Sequence, residues 1–311
     1  MFELTNDDLF QNLHEVLNYI DEPFADSSAL AVNILCFHAK KHVSVALSGD
    51  GADEIFAGYN KHYAEYQARK LSTFSGIAGM LHPLTKVLPK SRNSLIGNKF
   101  RQVDKFIEGI KLTEKDRYWR WAGFSSDLDS NSLLKDKALE FASRKRAILK
   151  EVNSDYNSIL KTDMDLVLEN DMLVKVDRMS MSRSLEVRVP FLDQKIVDFA
   201  FTLPSQFKIS NQGQKLILKD TFRSMLPNEL YNRKKQGFEV PLLKWFQTDL
   251  RNTIENELLD DNFIVDQGIF NPIEVSNLKK RLFSSNPNDS VATIWALVVF
   301  QYWWKNIYDN L

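Results

Sequence analysis

A short turn at positions 48–54, SGDGADE, combines two glycines with three acidic residues within the segment SGDGADEIFAGY at 48–59. Gly49 and Gly51 allow a ligand to approach the backbone closely. The apolar pattern that follows predicts a helix from about Asp53, and the free N–H groups and positive dipole end of that helix favour an anion at the turn. A glycine-rich turn in this position is typical of phosphate binding.

The acidic residues of this turn, Asp50, Asp53 and Glu54, would repel a bare phosphate. A divalent cation resolves the conflict, because Mg²⁺ is commonly held by one or two carboxylates together with substrate phosphates. We therefore interpret the turn as a site for magnesium pyrophosphate or a magnesium nucleotide, with Asp50 placed to reach the ligand. The alternative is structural, since acids in a first helical turn complement the helix dipole whatever the function, and glycines relieve crowding in a tight turn.

Two further charged segments leave a similar choice. The segment RKKQGF at 233–238 is either a solvated surface run, above all at Arg233 and Lys234, or a loop whose lysine neutralises charge that develops on a phosphoryl or carboxyl oxygen. Glu186 and Arg188 lie two apart on an extended segment and therefore share a face. They either form a partly buried ion pair that fixes the register of the segment or contact a ligand directly.

The elements around the acidic turn predict a fragment of a parallel α/β sheet. Thr5 and Asp8 resemble a capping box at the start of a first helix, and a second apolar helix is expected from about Ala29 to Lys41. The segment HVSVAL that follows is typical of a short buried strand. Ligands in such sheets bind beyond the carboxyl ends of the strands, where the acidic turn lies. From residue 60 to about 173 the pattern is almost entirely helical.

Composition excludes several classes of function. The chain has 311 residues and a formal net charge of -1, so no global field favours nucleic acid or an acidic membrane. The single cysteine, Cys36, lies in an apolar run and is expected to be a buried structural thiol in a reducing compartment. No signal peptide or membrane span is recognisable. We expect a cytoplasmic protein with a substantial core.

Four motifs are similar, in this order, to those of the synthetase half of the glutamine-hydrolysing asparagine synthetase family: DEPFADSSAL, VALSGDGADEIFAGYNKHY, DMLVKVDRMSMSRSLEVRVPFLD and RKKQGFEVPLLKW. The resemblance extends from about Asp21 to Phe246. It implies an N-type ATP pyrophosphatase fold of the α/β class, predominantly helical, with a partial parallel sheet and a large helical remainder. It also implies that ATP adenylates the side-chain carboxylate of aspartate, releasing pyrophosphate, and that ammonia then displaces AMP to give asparagine.

The resemblance assigns roles to individual residues, with ATP and Mg²⁺ as cofactors. Asp53 is expected near Mg²⁺ and pyrophosphate, and Lys235 is expected to steady the adenylate and the tetrahedral intermediate. Asp50, where many relatives carry Glu, is expected to orient or deprotonate the incoming ammonium. Because Asp is one methylene shorter than Glu, an acceptor other than aspartate, such as a sugar acid, stays an alternative. Nucleotide or substrate contacts are implied for Ser48, Gly49, Gly51, Asp177 and Arg178.

Two features of the family do not occur in the 311 residues: the pyrophosphate loop Ser-Gly-Gly-x-Asp-Ser and an N-terminal nucleophilic cysteine. We therefore expect a single synthetase domain over 1–311, truncated at its N-terminal end, with ammonia supplied by a glutaminase domain outside this sequence. One alternative to this interpretation is a truncated, non-catalytic paralogue that acts as a binding or assembly partner. The oligomeric state is a separate open question, and a homo-oligomer in which a second copy covers an open sheet edge is possible in either case.

Overall fold

The computed structural model describes residues 5–71, 95–135, 139–231, 237, 240–285, 287 and 289–306. These residues are predominantly helical, as the sequence predicts. The α-helices are α1 (Asn6–Gln11), α2 (Leu13–Tyr19), α3 (Ala29–Lys40), α4 (Ala52–Ile55), α5 (Asn60–Leu71), α6 (Leu95–Ile110), α7 (Glu114–Ala122), α8 (Asp127–Leu133), α9 (Leu139–Ile148), α10 (Tyr156–Asp163), α11 (Leu173–Met181), α12 (Gln194–Thr202), α13 (Leu216–Thr221), α14 (Asn228–Tyr231), α15 (Leu242–Gln247), α16 (Arg251–Thr253), α17 (Asp261–Gln267), α18 (Pro272–Leu282) and α19 (Ser290–Asn306).

Shorter elements complete the described chain. Two π-helical segments, Met164–Met172 and Ile254–Leu258, continue α10 and α16. The strands are β1 (Val45–Leu47), β2 (Glu186–Arg188), β3 (Ile209–Ser210) and β4 (Gly213–Gln214), and the 3₁₀ helices are Leu149–Glu151, Pro190–Leu192 and Ser205–Phe207. Since β3 and β4 form only a small antiparallel pair, the functional argument depends on β1 and β2.

The parallel pair β1–β2 is the centre of the predicted α/β fragment. Val45 lies opposite Glu186, and Leu47 lies opposite Arg188. The two strands are far apart in sequence, and the connection between them is largely helical, as parallel strands require. The acidic turn follows β1 directly, so it lies at the carboxyl end of this small sheet.

The first two predicted helices are confirmed at their ends. Thr5 accepts the backbone N–H of Asp8, and the Asp8 side chain accepts that of Thr5, so the capping box at the start of α1 is present. The helix predicted over Ala29–Lys41 is α3, which ends one residue earlier. Asp26 accepts the Ser28 N–H at 2.9 Å just before this helix. A side-chain cap therefore starts α1, whereas α3 follows a local turn at Asp26 and has no side-chain cap at Ser28.

The largest core cluster packs against only one face of the β1–β2 pair. It joins buried residues from α1–α3, α11, α15, the π-helical segment Ile254–Leu258 and α17–α19, among them Leu30, Met179 and Phe246. Ala46 and Val187, which occupy the central positions of the two strands, pack against this cluster. Helices from both ends of the chain thus form the layer that supports the sheet.

The prediction that HVSVAL forms a buried strand is right about the strand and wrong about its burial. Val45 is 42% exposed and Leu47 is 73% exposed. Side chains alternate between the two faces of a strand, so the neighbours of Ala46 point away from the core. Among the described residues β1 pairs with β2 alone. Apolar side chains are therefore exposed on one face of β1, and no strand of the described chain pairs with its second edge.

The turn after β1 depends on a glycine at position 51. Gly51 has φ +87, a left-handed conformation that L side chains rarely adopt, and a Cβ atom there would lie 2.3 Å from Leu192 Cδ2. A Cβ atom at Gly49, by contrast, would meet nothing within 4 Å. The two glycines therefore have different roles: Gly51 allows the left-handed backbone of the turn, and Gly49 leaves open space beside it.

We expect Gly51→Ala to lower the free energy of unfolding by about 1–3 kcal/mol, because it adds backbone strain and displaces Leu192. The matched control is Gly49→Ala, which is expected to change stability by less than about 0.5 kcal/mol. Urea denaturation monitored by circular dichroism measures both. Equal midpoints for the two variants would show that the turn tolerates a side chain at residue 51.

Candidate active site

A cavity of about 690 Å³ opens at the carboxyl end of β1, between the acidic turn, α3 and α11. It is lined by five residues that the sequence singles out, namely Ser48, Gly49, Asp50, Gly51 and Asp53. The position agrees with the general rule for parallel α/β sheets. The described residues of the turn thus gather around one space that a ligand can enter.

Asp50 is held by its neighbour in the turn. The hydroxyl of Ser48 donates a hydrogen bond to Oδ2 of Asp50, which is half-buried. This contact fixes one carboxylate oxygen, while the open space at Gly49 lies beside it. The carboxylate is therefore oriented and still accessible from the cavity.

Asp53 forms an ion pair that the sequence did not predict. Nζ of Lys215 lies 2.8 Å from Oδ1 of Asp53, and both side chains are partly exposed. Lys215 precedes α13 and has a left-handed backbone, with φ 55. Gly58 leaves room for Asp53, since a Cβ atom there would lie 1.8 Å from Oδ1. A cation at Asp53 would have to share this carboxylate with Lys215 or displace it.

Glu54, the third acid of the turn, is only 1% exposed although it lines the cavity. Its Oε1 accepts a hydrogen bond of 2.6 Å from the Tyr59 hydroxyl. Its Oε2 is buried and has no hydrogen-bond partner in the described part of the chain. Burial raises the pKa of Glu54 above its ordinary value, and the nearby charges of Asp53 and Asp163 act in the same direction.

Lys175 and Asp26 line the wall of the cavity that faces the acidic turn, and the carboxyl group of Asp171 lies near them. Nζ of Lys175, a buried residue of α11, lies 2.7 Å from Oδ2 of Asp26, and both residues line the cavity. Burial and the charge of Asp26 raise the pKa of the nearby Asp171 to about 7. Four carboxylates and one lysine therefore line the described cavity, a surplus of negative charge that favours cationic ligand groups.

Behind Glu54 lies a buried network around Asp163, the last residue of α10. Asp163 accepts hydrogen bonds from Lys61 (2.7 Å), His62 (2.6 Å) and Tyr118 (2.6 Å). Burial by itself would raise the pKa of Asp163, but Lys61 and His62 outweigh it and hold that pKa well below its ordinary range. Three helices, α5, α7 and α10, are tied together at this point.

His62 is neutral in this network. Complete burial lowers the pKa of His62, although Asp163 opposes the shift. The Tyr59 backbone N–H donates a hydrogen bond to Nδ1 at 3.3 Å, so the proton of the neutral ring lies on Nε2, which donates a hydrogen bond to Asp163. The sequence analysis gave this histidine no role, whereas the structure makes it a buried link between the acidic turn and α10.

Other predicted site residues lie away from the cavity. Arg178 pairs with Asp21 at 2.5 Å, and Asp177 is exposed; neither lines the cavity. Glu186 and Arg188 form the expected ion pair at 2.7 Å, but their side chains are 55% and 66% exposed, so the pair is not partly buried as predicted. Both residues point to the uncovered face of the sheet, opposite to Val187, which explains the exposure.

The basic segment is only partly described. Arg233, Lys234 and Lys235 lie outside the described residues, and the role predicted for Lys235 stays a prediction. Gly237 is described and lines the cavity. Gly237, which is two positions after Lys235 in the sequence, therefore lies at the cavity.

The site can hold Mg²⁺ only together with a ligand whose phosphates supply part of the coordination. No group of three or more His, Cys, Asp or Glu side chains among the described residues is arranged to hold a metal ion. Mg²⁺ needs only one or two protein carboxylates when phosphates supply the remaining oxygens, and Asp50 and Asp53 line the same cavity. The donor chemistry is compatible with a metal that arrives with a phosphate ligand.

The fold and the site together define the class of protein: an α/β protein with a ligand cavity at the carboxyl end of a small parallel sheet. The chain belongs to the asparagine synthase family, whose model matches residues 1–305. This confirms the resemblance and, with it, an ATP pyrophosphatase-like fold.

Curated relatives support the same family. The chain is 28% identical over 308 residues to asparagine synthetase (glutamine-hydrolyzing) 1 of Bacillus subtilis, covering 96% of this chain and 46% of that protein. It is 25% identical over 311 residues to a putative asparagine synthetase (glutamine-hydrolyzing) of Mycobacterium tuberculosis, covering 96% and 44%. The chain thus spans less than half the length of these relatives. No helix in the described part of the chain is long and apolar enough to cross a membrane.

Several site residues were missed at the sequence level. Asp26 and Lys175 lie inside quoted motifs, but they are 149 residues apart and nothing local indicates that they pair. Glu54 was noted for its charge, and its burial depends on helices that are distant in sequence. Lys215 lies outside all four motifs. Long-range packing, which spacing does not encode, brings these residues together.

Proposed function

We propose that this chain is the synthetase part of a ligase that forms asparagine. ATP adenylates the side-chain carboxylate of aspartate and releases pyrophosphate; ammonia then attacks the acyl carbon, and AMP leaves with the bonding electrons. The observation that carries this proposal is the cavity at the end of β1, where Asp50, Asp53 and Lys175 meet in a member of the asparagine synthase family.

Asp50 is the proposed proton acceptor of the second step. The nitrogen of ammonia loses a proton as the amide forms, and a carboxylate within reach of that nitrogen serves as general base. The Ser48 hydroxyl holds Asp50 in place. Gly49 leaves the space beside it in which the reacting carboxylate is proposed to lie.

Asp53 and Lys235 are proposed to act on the phosphate side of the reaction. Asp53 would hold Mg²⁺, which neutralises the charge of the departing pyrophosphate, and Lys215 lies close enough to contribute positive charge at the same place. Lys235 is proposed to stabilise the adenylate, and the position of Gly237 at the cavity supports this role. The remaining predicted contacts, Asp177 and Arg178, are given no part in the chemistry.

A single synthetase domain over 1–311 is part of the proposal. The largest core cluster contains residues from Leu9 to Val299, so helices from both ends of the chain pack together, which supports one unit. The buried, unpaired Cys36 suits a reducing cytoplasm, where ATP is available. Ammonia from glutamine requires a glutaminase, which we propose to be a separate domain or chain.

Pyrophosphate release with Mg-ATP, aspartate and ammonia tests the function. Two preparations are compared: the 311-residue chain, and the same chain with any residues that its reading frame encodes upstream. Because the Ser-Gly-Gly-x-Asp-Ser loop does not occur in the 311 residues, turnover is expected when upstream residues supply it. A sugar acid in place of aspartate tests the acceptor. If neither preparation forms an adenylate from any carboxylate, the enzymatic proposal is wrong, and the non-catalytic alternative gains support.

A further inference from the structure

A second cavity, of about 670 Å³, lies between α5, α6 and α7 and shares no lining residue with the cavity at the end of β1. Residues at helical spacing line it from one face of α5, such as Tyr63 and Gln67, and from one face of α6, such as Lys99 and Phe106. Its volume lies within the range of about 300–1,000 Å³ that is typical of small-molecule sites. We call this space the basic cavity.

The lining of the basic cavity contains no carboxylate and four cations: Lys61, Lys99, Arg101 and Lys105. Lys61 pairs with the buried Asp163 at 2.7 Å, and Arg101 lies 3.6 Å from Asp289. Nζ of Lys105 donates to the neutral carbonyl of Gly123 at 3.3 Å. Lys99 is exposed and forms no ion pair among the described residues. The lining therefore has a surplus of positive charge, opposite in sign to the surplus in the cavity at β1.

The sequence that surrounds this cavity adds no counter-charge. Residues 66–103 contain neither Asp nor Glu, although the whole chain has a net charge of -1. The same stretch contains seven cations, namely Arg69, Lys70, Lys86, Lys90, Arg92, Lys99 and Arg101. Because the connection between α5 and α6 brings no carboxylate, a bound anion is the natural partner of the basic cavity.

Three aromatic side chains, Tyr63, Phe106 and Trp121, form the apolar wall of the basic cavity. The rings of Phe106 and Trp121 are stacked, with centroids 6.0 Å apart and planes 10° apart. The Trp121 indole N–H donates to the Lys105 carbonyl at 3.0 Å, which fixes the ring. All three side chains are only half-buried, and Val103 at the same cavity is 47% exposed, so a ligand can enter from solvent. Such a wall suits the planar face of an aromatic ligand.

We propose that the basic cavity binds a nucleotide, with its phosphate against the cations and its base against the aromatic wall. A bare inorganic anion would leave the wall unused, and an apolar ligand would leave the cations uncompensated. A nucleotide satisfies both, since lysine and arginine form charge-assisted hydrogen bonds with phosphate and aromatic rings stack on any base. The lining supplies the positive charge itself, so this binding needs no Mg²⁺. The proposal goes beyond the ligase reaction and does not rest on it.

The test uses AMP and two compounds that each lack one half of it: adenosine has no phosphate, and ribose 5-phosphate has no base. Calorimetric titrations use the full-length protein, with any residues that its reading frame encodes upstream, in the presence of EDTA. We expect AMP to bind at least about tenfold more tightly than either compound, because each of them loses one set of contacts. Binding of AMP is expected to weaken as the salt concentration rises.

Hydrogen–deuterium exchange locates the bound AMP. Protection is expected in the segments of α5 and α6 that line the basic cavity, 60–67 and 99–106, and not in the acidic turn at 48–54. This separates the basic cavity from the proposed catalytic site, where the surplus of carboxylates disfavours a phosphate without Mg²⁺.

Two double variants separate a built site from general attraction. Lys99→Gln combined with Lys105→Gln removes two of the four cations and is expected to weaken AMP by about tenfold to a hundredfold while leaving adenosine unchanged. Lys195→Gln combined with Lys280→Gln makes the same change of charge at two exposed residues that do not line the cavity. This control is expected to bind AMP as the wild type does. Thermal melting of both reports whether they are folded.

Several results would overturn the proposal. These are no binding of AMP, binding that requires Mg²⁺, protection of the acidic turn instead of α5 and α6, or equal weakening by the two double variants. Ribose 5-phosphate or adenosine that binds as tightly as AMP would also contradict it. Vesicles with phosphatidylserine, and polyuridylate, test for a larger anionic partner; if either binds and AMP does not compete, the basic cavity does not serve a nucleotide. Pyrophosphate release tests the ligase reaction separately, so each proposal can fail alone.

Discussion

Replacing Asp163 by Asn is expected to lower the free energy of unfolding by about 3 kcal/mol, because it removes the charge that compensates Lys61 in a buried network. Asp163 is 0% exposed and accepts three hydrogen bonds. An amide of the same shape presents one acceptor oxygen and one donor group, so at least one of the three donors loses its partner. Urea denaturation at neutral pH measures the loss.

The matched control for this prediction is Tyr118→Phe. Tyr118 is also buried and, as a neutral side chain, donates a single hydrogen bond to the Asp163 carboxylate. The loss of this one bond to a charged group is expected to cost about 1.5 kcal/mol. If Asp163→Asn costs no more than Tyr118→Phe, the charge of Asp163 is unimportant for stability and the network is an ordinary set of hydrogen bonds.

The sequence predicted those parts of the fold that depend on local signals. The capping box at Thr5, the second helix, and the extended segment around Val187 all follow from residues close to one another, and all three are present. The acidic turn was also found in its predicted place, at the end of a strand and before a helix. Capping, periodicity and turn chemistry act within a few residues, so a sequence displays them directly.

Burial and pairing could not be predicted in the same way. The residues HVSVAL have the composition of a buried strand, yet whether Leu47 is covered depends on which elements lie over that face, and the described helices cover the other one. His62 and Asp163 are 101 residues apart, and Asp53 meets a lysine from a segment far along the chain. These contacts are decided by tertiary packing.

Position 50 combines both kinds of information. The sequence pattern of an acid between two glycines before a helix singled out Asp50. The residues that tertiary packing brings around it explain how it can serve as a general base. The Ser48 hydroxyl orients it, and the cavity beside it is bounded by Lys175 from α11 and Asp26 from the segment before α3. A general base needs this combination of fixed orientation and access to the reacting atoms.

Asp50→Asn is therefore expected to reduce the rate of ammonia-dependent amide formation by about 10²- to 10⁴-fold, the usual contribution of a general base. Asn keeps the shape of the side chain and can still accept the Ser48 hydroxyl, so the turn should stay folded. Adenylation does not require proton removal from ammonia. ATP–pyrophosphate exchange with aspartate should accordingly fall much less than amide formation, and comparing the two rates in one variant isolates the second step.

Asp50→Glu provides the control, because it keeps a carboxylate at this position and lengthens the side chain by one methylene. It is expected to keep amide formation within about tenfold of the wild type, since base strength is similar and only the reach changes. An Asn variant as active as the Glu variant would place the proton acceptor elsewhere. In that case the remaining cavity carboxylates, Asp26, Asp53 and Glu54, become the candidates.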